Sequence, residues 1–458
     1  MKPLNILYVV PYAPTLIRVR PYNLIRFLQR AGHRVTLATL VEADAERESL
    51  AALAGEGVRL MAEPITRQRK LANALRAAPT RTPLQAVYSW QPRLAGAIRT
   101  ALGEAATAGA GFDVVHVEHL RGARYALDAA EWSAANGRRP PVVWDSVDCI
   151  SHLFEQAARS SRSLFGRLMT RLELGRTRRY EGWLVGQFDR VLVTSTVDRQ
   201  ALTDLAAALD GEDHSERVVV LSNGVDLDYF TPVAAGREPA TIVFTGKMSY
   251  HANLTAALYL IEQVMPLVWQ RRPDAKLVIA GSSPPDRLRR LAAERAGHVE
   301  VTGRVSDLRP YLTRACVAVA PLLYGAGVQN KVLEAMACAT PVVTTTRAVM
   351  GLRPEGLRHC AIADTPQTFA EAIVALMSDA DQRRRAGEGG RRYVETYHNW
   401  SVIARDLAAV YHRLKQNRIE EYWTCTGTQR AICRRKGQVR RSPRPGVVEW
   451  GNSIAQPS

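Results

Sequence analysis

No two cysteines in this chain are spaced as C-x-x-C. Cys149, Cys316, Cys338, Cys360, Cys425 and Cys433 are scattered, which excludes a zinc ribbon and a thioredoxin-like motif and is read as reduced thiols in a cytoplasmic protein. No run of about 18 apolar residues occurs, so no segment is expected to span a bilayer. The opening MKPLNILYVVPYAP is too short for a signal peptide and is stopped by Pro11, so a first buried strand is expected there. Acidic residues are scarce: 44 Asp and Glu face 61 Lys and Arg, a formal net charge of +17. Beyond Lys415, eight basic residues meet only Glu420, Glu421 and Glu449. A basic surface attracts polyanions such as nucleic acid, anionic lipid or phosphorylated substrates, and charge alone does not choose among them.

With 458 residues, 47% hydrophobic and 23% charged, the chain exceeds one ordinary core and suits two domains. Aliphatic runs of strand length alternate with longer amphipathic stretches, which predicts an α/β fold. NILYVV (5–10), VTLATL (35–40), DVVHV (113–117), PVVWD (141–145), RVLVTS (190–195) and VVVLSN (218–223) form a first series. Segment 62–91 breaks the rhythm and carries Arg67, Arg69, Lys70, Arg76 and Arg81 among prolines. A long helical stretch from about 150 to 187 is rich in arginine, including Arg159, Arg162, Arg167, Arg171, Arg176, Arg178 and Arg179. It reads either as a helix packed on its own domain or as a basic amphipathic face for an anionic membrane. TPVAAGREPA (231–240) has linker composition. TIVFTG (241–246), AKLVIAGS (275–282), HVEVTG (298–303), CVAVAPL (316–322) and PVVTTT (341–346) then repeat the pattern, with helices near 366–397 and 400–415. The expected domains are 1–232 and 233–397, followed by a C-terminal helix over 398–415 that returns toward the first domain. A basic tail over 416–458 is expected to be disordered.

Open α/β sheets bind ligands at the carboxyl ends of their strands, where helices begin. GAGVQNKVLEAMA (325–337) occupies that position after CVAVAPL. Gly325 and Gly327 allow close backbone approach, the helix start offers free N–H groups, and Lys331 adds a point charge, a combination suited to a diphosphate. Gly246, Ala326, Val328 and Gln329 complete the expected donor-binding residues. Glu334, three residues after Lys331, shares its face and can accept hydrogen bonds from a ribose diol. The plain alternative is an ordinary helix with a solvent-facing Lys–Glu pair. FTGKMSYHAN (244–253) is a second loop of this kind; Lys247 is placed beside the phosphates, and His251 or Asn253 is a candidate helix cap. Asp226-Leu-Asp228 and Asp379-Ala-Asp381 have a D-x-D spacing, but the first precedes an aromatic and a proline and the second reads as a helix cap. No metal site is expected from either.

The order ILYVVPYAP, GHRVTL, DVVHVE, SNGVDLDYF, FTGK, LVIAGS, VEVTGRVSDLRPYL and VAPLLYGAGVQNKVLEAMACATPVVTT resembles glycosyltransferase family 4 over most of residues 4–414. Within it, the chain is similar to the sugar transferases attached to exopolysaccharide systems. The resemblance implies a GT-B fold of two facing Rossmann-like, doubly wound domains, the first for the acceptor and the second for the nucleotide sugar. It also implies a retaining, metal-independent transfer. Glu334 matches a family glutamate that contacts the ribose, whereas the glutamate expected before it, with seven residues between, falls on Ala326. Lys247 matches a family arginine, and the family lysine falls near Ala252, which leaves Lys331 to supply the second charge. His116 in DVVHVE matches a histidine that reaches the donor sugar. Without the family, a strand histidine is more often structural. The loop after the first strand lacks the family's paired glycines; Arg18 and Arg20 stand there as candidates to meet a phosphorylated acceptor. Asp145 and Asp148 end the next strand on the same acceptor side.

The expected function is therefore a hexosyl transfer from a nucleoside diphosphate to a lipid-linked or oligosaccharide acceptor in exopolysaccharide or cell-surface glycan synthesis. His116, Lys247, Lys331 and Glu334 are the expected catalytic residues. No cofactor, no metal and no specific nucleic-acid partner are expected. A cytoplasmic location is expected, with peripheral contact to the inner face of an anionic membrane kept open. The rivals are a nucleotide-sugar epimerase or hydrolase of the same fold, and a non-catalytic nucleotide-sugar or nucleic-acid binder.

Overall fold

The computed structural model describes residues 2–15, 18–109, 111–137, 140–160, 164–233, 236–323 and 328–426. It forms two compact units. One comprises residues 1–192, 201–219 and the chain from 407 on; the other comprises 193–200 and 220–406. The expected join at 232 thus meets a second unit that takes in residues from 220 on.

The first unit is built on a seven-stranded sheet. Its strands are β1 (Asn5–Val10), β2 (Arg34–Val41), β3 (Arg59–Pro64), β4 (Val114–Glu118), β5 (Val142–Val147), β6 (Arg190–Val193) and β7 (Val218–Val220), in the order β3-β2-β1-β4-β5-β6-β7. From β3 to β5 every neighbouring pair is parallel. β1 and β4 are buried on both faces because helices cover both sides of a parallel sheet. β3 was not expected. It is an edge strand with no fully buried residue, so it lacks the aliphatic run that marks the others.

The second unit carries β8 (Glu238–Thr245), β9 (Lys276–Ala280), β10 (Val299–Gly303), β11 (Ala315–Ala320), β12 (Val342–Thr344) and β13 (Cys360–Ile362), in the order β10-β9-β8-β11-β12-β13. All neighbours are parallel. β11 shows how side-chain size sorts the two faces. Val317 and Val319 pack with Phe369 and Ile373. Ala318 and Ala320 point the other way, toward Leu333 and Met336 of the helix Asn330–Ala337. The same helix is approached by Ala380–Tyr397, where a Cβ on Gly387 would lie 2.1 Å from the carbonyl oxygen of Ala339.

Arg237, inside the expected linker, ties the helix ends together. Its guanidinium donates to the carbonyls of Leu312, Thr313, Ala315, Cys338 and Ala339. These oxygens lie at helix C-termini, where carbonyls have no partner within the helix; that of Leu312 also accepts from the Thr340 hydroxyl at 2.7 Å. The loop 222–230 is anchored too: Val225 N–H donates to His398 O at 2.7 Å, and Nδ1 of His398 lies 2.7 Å from Asn223 O. Asp226 Oδ1 accepts the N–H groups of Asp228 and Tyr229, so the first D-x-D forms a local turn. Asp379 caps the next helix through Gln382 N–H, as its sequence suggested.

The stretch 150–187 forms two helices, Ile150–Ser160 and Leu164–Gln187; the side chains of 156–172, including Arg159, Arg162, Arg167 and Arg171, lie outside the described residues. The last helix runs over Trp400–Thr426, past the expected end at 415. Residues 427–458 of the tail lie outside the description. Among the described residues no helix is long and apolar enough to cross a membrane.

Candidate functional site

In each sheet the chain reverses its strand order once, between β1 and β4 in the first unit and between β8 and β11 in the second. Such a switch point opens a crevice at the carboxyl ends of the two strands.

In the second unit, β8 is followed by Gly246 and Lys247, and β9 by Gly281. Gly246 N–H donates to Ala280 O at 3.1 Å, and Met248 N–H to Ser282 O at 2.8 Å. The two loops lie so close that a Cβ on Gly281, at φ +156°, would sit 1.8 Å from the Gly246 oxygen. Gly281→Ala is therefore expected to push the Gly246–Lys247 loop aside and to cost about 3 kcal/mol of stability. A urea midpoint equal to the parent's would refute that reading.

Asn253, taken from sequence as a cap, has a different role. Its amide donates to the carbonyl of Lys247 at 3.0 Å, and its Oδ1 accepts from Nζ of Lys331. The helix His251–Tyr259 has no side-chain cap. Nζ of Lys331 also lies 4.9 Å from the centre of the Phe244 ring. Asn253 thus links the two loops on which the sequence placed the charges. Lys247 is exposed, while Lys331, on the first turn of Asn330–Ala337, and Glu334, at the start of the second, are half-buried. Gln329 holds the N-cap position and Val328 is buried. Gly325, Ala326 and Gly327 lie outside the described residues.

Burial lowers the Lys331 ammonium to about 8 and raises the Glu334 carboxyl to about 7, each only partly opposed by the other's charge. For Glu334, whose folded value is raised, the stabilising contribution is complete below its unfolded value and is lost as pH rises through about 7. For Lys331, whose folded value is depressed, it is complete above the unfolded value and is lost as pH falls through about 8. Between these values both groups carry charge in a poorly solvated place, a state that a bound anion relieves. Affinity for a nucleoside diphosphate is expected to fall as pH rises from about 7.5 to about 9.5, with proton uptake on binding near pH 8. Calorimetry in two buffers of different ionisation enthalpy reads both effects. Lys331→Ala should abolish them, and a flat profile in the parent would count against Lys331 as the responding group.

The first unit's switch point is filled. His116 lies on β4 with no exposed surface. Its ring stacks on Tyr8 at 4.1 Å, its Nδ1 lies 2.8 Å from the Tyr411 hydroxyl, and its Nε2 is 3.7 Å from Asp145. Burial and Arg20 hold it well below the ordinary histidine value, so it is neutral. Arg20 is buried and donates from Nε to Oδ2 of Asp145 at 2.9 Å, with a second nitrogen at 2.8 Å. Three expectations are corrected here. His116, Arg20 and Asp145 form an interior network and present no surface to a ligand. Arg20 turns inward because the helix Val19–Arg30 starts there and buries that face. Arg18 remains half-exposed, bonded to Ala13 O and Glu46 and stacked on Tyr12. Asp148 is half-buried in the turn after β5.

Glu118 was not singled out from DVVHVE, and its strand position gave no signal beyond ending an apolar run. It accepts from Tyr12 at 2.8 Å and Tyr8 at 3.4 Å, and burial beside Asp145 raises its carboxyl to about 8. Asp210, Glu212 and His214 bring three metal-capable side chains together at the surface. An Asp210–His214 contact of 2.9 Å already accounts for part of that grouping.

Comparison with known proteins matches the two halves separately. Residues 18–229 match the model of Glycosyltransferase Family 4, and residues 239–379 match that of Glycosyl transferases group 1. A phosphatidyl-myo-inositol mannosyltransferase of Mycobacterium tuberculosis is 30% identical over 227 residues, 47% of this chain and 59% of the relative. A GDP-mannose-dependent monoacylated alpha-(1-6)-phosphatidylinositol monomannoside mannosyltransferase of Corynebacterium glutamicum is 28% identical over 215 residues, 42% of this chain and 55% of the relative. The matched region spans little more than half the length of these relatives. The crystal structure of Anabaena HepE in complex with UDP superposes with a TM-score of 0.61 at 15% identity, covering 90% of this chain and all of that one. The two parallel sheets with flanking helices have the GT-B fold class.

Proposed function

We propose that this chain, a glycosyltransferase family 4 domain followed by a group 1 domain, moves a hexose from a nucleoside diphosphate to a lipid-linked or oligosaccharide acceptor. The transfer retains the anomeric configuration and serves the building of a cell-surface glycan such as an exopolysaccharide. One observation carries the reading: Lys331 stands on the first helical turn after β11, joined through Asn253 to the loop of Lys247. No carboxylate lies within 4 Å of its ammonium among the described residues. A cation that feels Glu334 but forms no direct ion pair, beside a switch point, suits a ligand that brings its own negative charge.

As the bond from the sugar carbon to the phosphate oxygen breaks, the diphosphate gains charge, and Lys331, Lys247 and the helix N-terminus stabilise it. The side-chain charges fill the place a metal would take, so none is invoked. Glu334 accepts from the ribose diol. The acceptor hydroxyl forms the new bond on the face the diphosphate leaves, and the departing phosphate oxygen takes its proton. The relatives' names support a lipid-linked acceptor, since they describe mannosyl transfer to phosphatidylinositol compounds. A peripheral place on the cytoplasmic face of an anionic membrane agrees with the basic composition.

The test is a donor panel: release of GDP from GDP-mannose, UDP from UDP-glucose and ADP from ADP-glucose, with nucleotide binding read beside it by calorimetry. Release or binding with one donor, lost in Lys331→Ala and Glu334→Ala, is the expected result. A folded parent that neither binds nor cleaves any of them would overturn the proposal.

A further inference from the structure

Segment 62–91, which interrupts the strand–helix rhythm, builds a surface that the donor chemistry does not use. It forms the helices Arg67–Ala77 and Leu84–Tyr88, which pack on each other, and the second lies beside the turn Leu120–Gly122 and the helix Ala123–Ala135 that follow β4. Tyr88, Trp90 and Tyr125 make its centre. The Trp90 and Tyr125 rings are 4.9 Å apart, and Tyr125 is fixed by a 2.8 Å bond to Ser89 O. Arg121 lies 5.8 Å from the Tyr88 ring centre, and Arg124 lies 4.0 Å from that of Trp90. Tyr125 stands in the field of both Arg69 and Arg124.

All three arginines are half-buried, and two of them leave a buried donor unmatched. Nε of Arg69 and Nε of Arg121 are buried without a hydrogen-bond partner. Among the described residues no carboxylate forms an ion pair with Arg69, Arg121 or Arg124. The acids nearby pair elsewhere: Glu42 with Lys70, Glu46 with Arg18, and Glu118 with Tyr12, while Asp128 pairs with Arg99 and reaches Arg124 only through its field. Tyr180, close to Arg124, lines with Arg81, Arg176 and Arg179 a small hollow of about 40 Å³. A buried guanidinium donor left unmatched is costly, and a phosphate oxygen matches it with charge-assisted, paired bonds.

We propose that Arg69, Arg121 and Arg124 form the seat of a phosphate ester on the acceptor, so that the transferase acts on a phosphate-bearing acceptor held by the first unit. The inference rests on the transferase reading for the word acceptor, but the site itself stands on these contacts. It replaces Arg20, which the structure turns inward. Leu71 and Leu75, one turn apart on the helix of Arg69, are 61% and 66% exposed. They favour an ester carried on an apolar chain over a free one.

The experiment uses the full chain, the double variant Arg121→Gln/Arg124→Gln, and Arg287→Gln, an exposed arginine of the second unit, as a charge control. Two probes separate the sources: soluble glycerol 1-phosphate by calorimetry, and sedimentation with phosphatidylcholine vesicles with and without about one fifth phosphatidic acid. The parent is expected to bind, with the double variant weakened about tenfold or more in the arm that binds and the control unchanged. Saturable glycerol 1-phosphate binding identifies a free ester. Binding only to the phosphatidic acid vesicles identifies a lipid. Binding to neither in the parent, or equal loss in the control, overturns the site. Nucleotide binding, measured on the same samples, shows that the variants are folded and tests the donor reading separately. Its failure in the parent would sink the transferase and leave the anion site to be judged on its own probes.

Discussion

Replacing Lys331 with alanine is expected to slow donor turnover about a hundredfold, on the order of 3 kcal/mol of lost transition-state stabilisation. The size follows from its surroundings. The ammonium is half-buried, its bond to Asn253 Oδ1 fixes its direction, and burial has already brought its ionisation down to about 8. Coulomb attraction is stronger there than in bulk water, so the charge developing on a leaving diphosphate gains more from Lys331 than from the exposed Lys247. Lys247→Ala should accordingly cost less. Steady-state rates with the donor identified by the panel decide it. If Lys331→Ala raised KM alone and left kcat intact, Lys331 would be a binding group only. Asn253→Ala should reproduce part of the loss, because Asn253 positions both loops.

The second large effect concerns stability. Arg20→Met is expected to cost about 3–5 kcal/mol, because it leaves Asp145 fully buried without its counter-ion. Asp145 would retain the Val147 N–H bond at 3.1 Å and little else. Glu118 nearby already has its ionisation raised by burial and by Asp145, so a second uncompensated carboxylate would compound the strain. Asp145→Asn in the same background should return part of the loss. The deficit should also shrink as pH falls: a carboxyl whose folded value lies above its unfolded one regains stability on protonation, and loses it as pH rises through the folded value. Chemical denaturation at two pH values measures both. A loss under about 1 kcal/mol would mean that water reaches the pair and that the site is not sealed.

The strand series was legible because parallel strands covered on both faces must be apolar throughout, as NILYVV and ACVAVA are. β3 and β13 escaped for a shared reason: each is a half-exposed edge strand without a buried aliphatic run, and β13 is only three residues long. The Lys331–Glu334 pair was legible because a charged pair inside an otherwise apolar helix has few structural uses. Arg18 and Arg20 were indistinguishable in the sequence. Two residues apart at a helix start, they point in different directions, and only the packing of Val19–Arg30 on the sheet sends one inward to Asp145 and leaves the other outside. Arg237 looked like linker, since nothing in PVAAGREPA announces the helix ends it joins. His116 resembled a ligand-facing histidine until Tyr8, Tyr411 and Asp145, each distant in sequence, closed around it.

The sequence by itself determined the alternation of strand and helix, the doubling of that pattern and the place where a charged pair follows a buried strand. These depend on local periodicity and on chain order. Tertiary structure decided which charges are available. Whether an arginine or a histidine meets ligand or another side chain depends on partners more than a hundred residues away, and on the cost of burying a charge that those partners do not match.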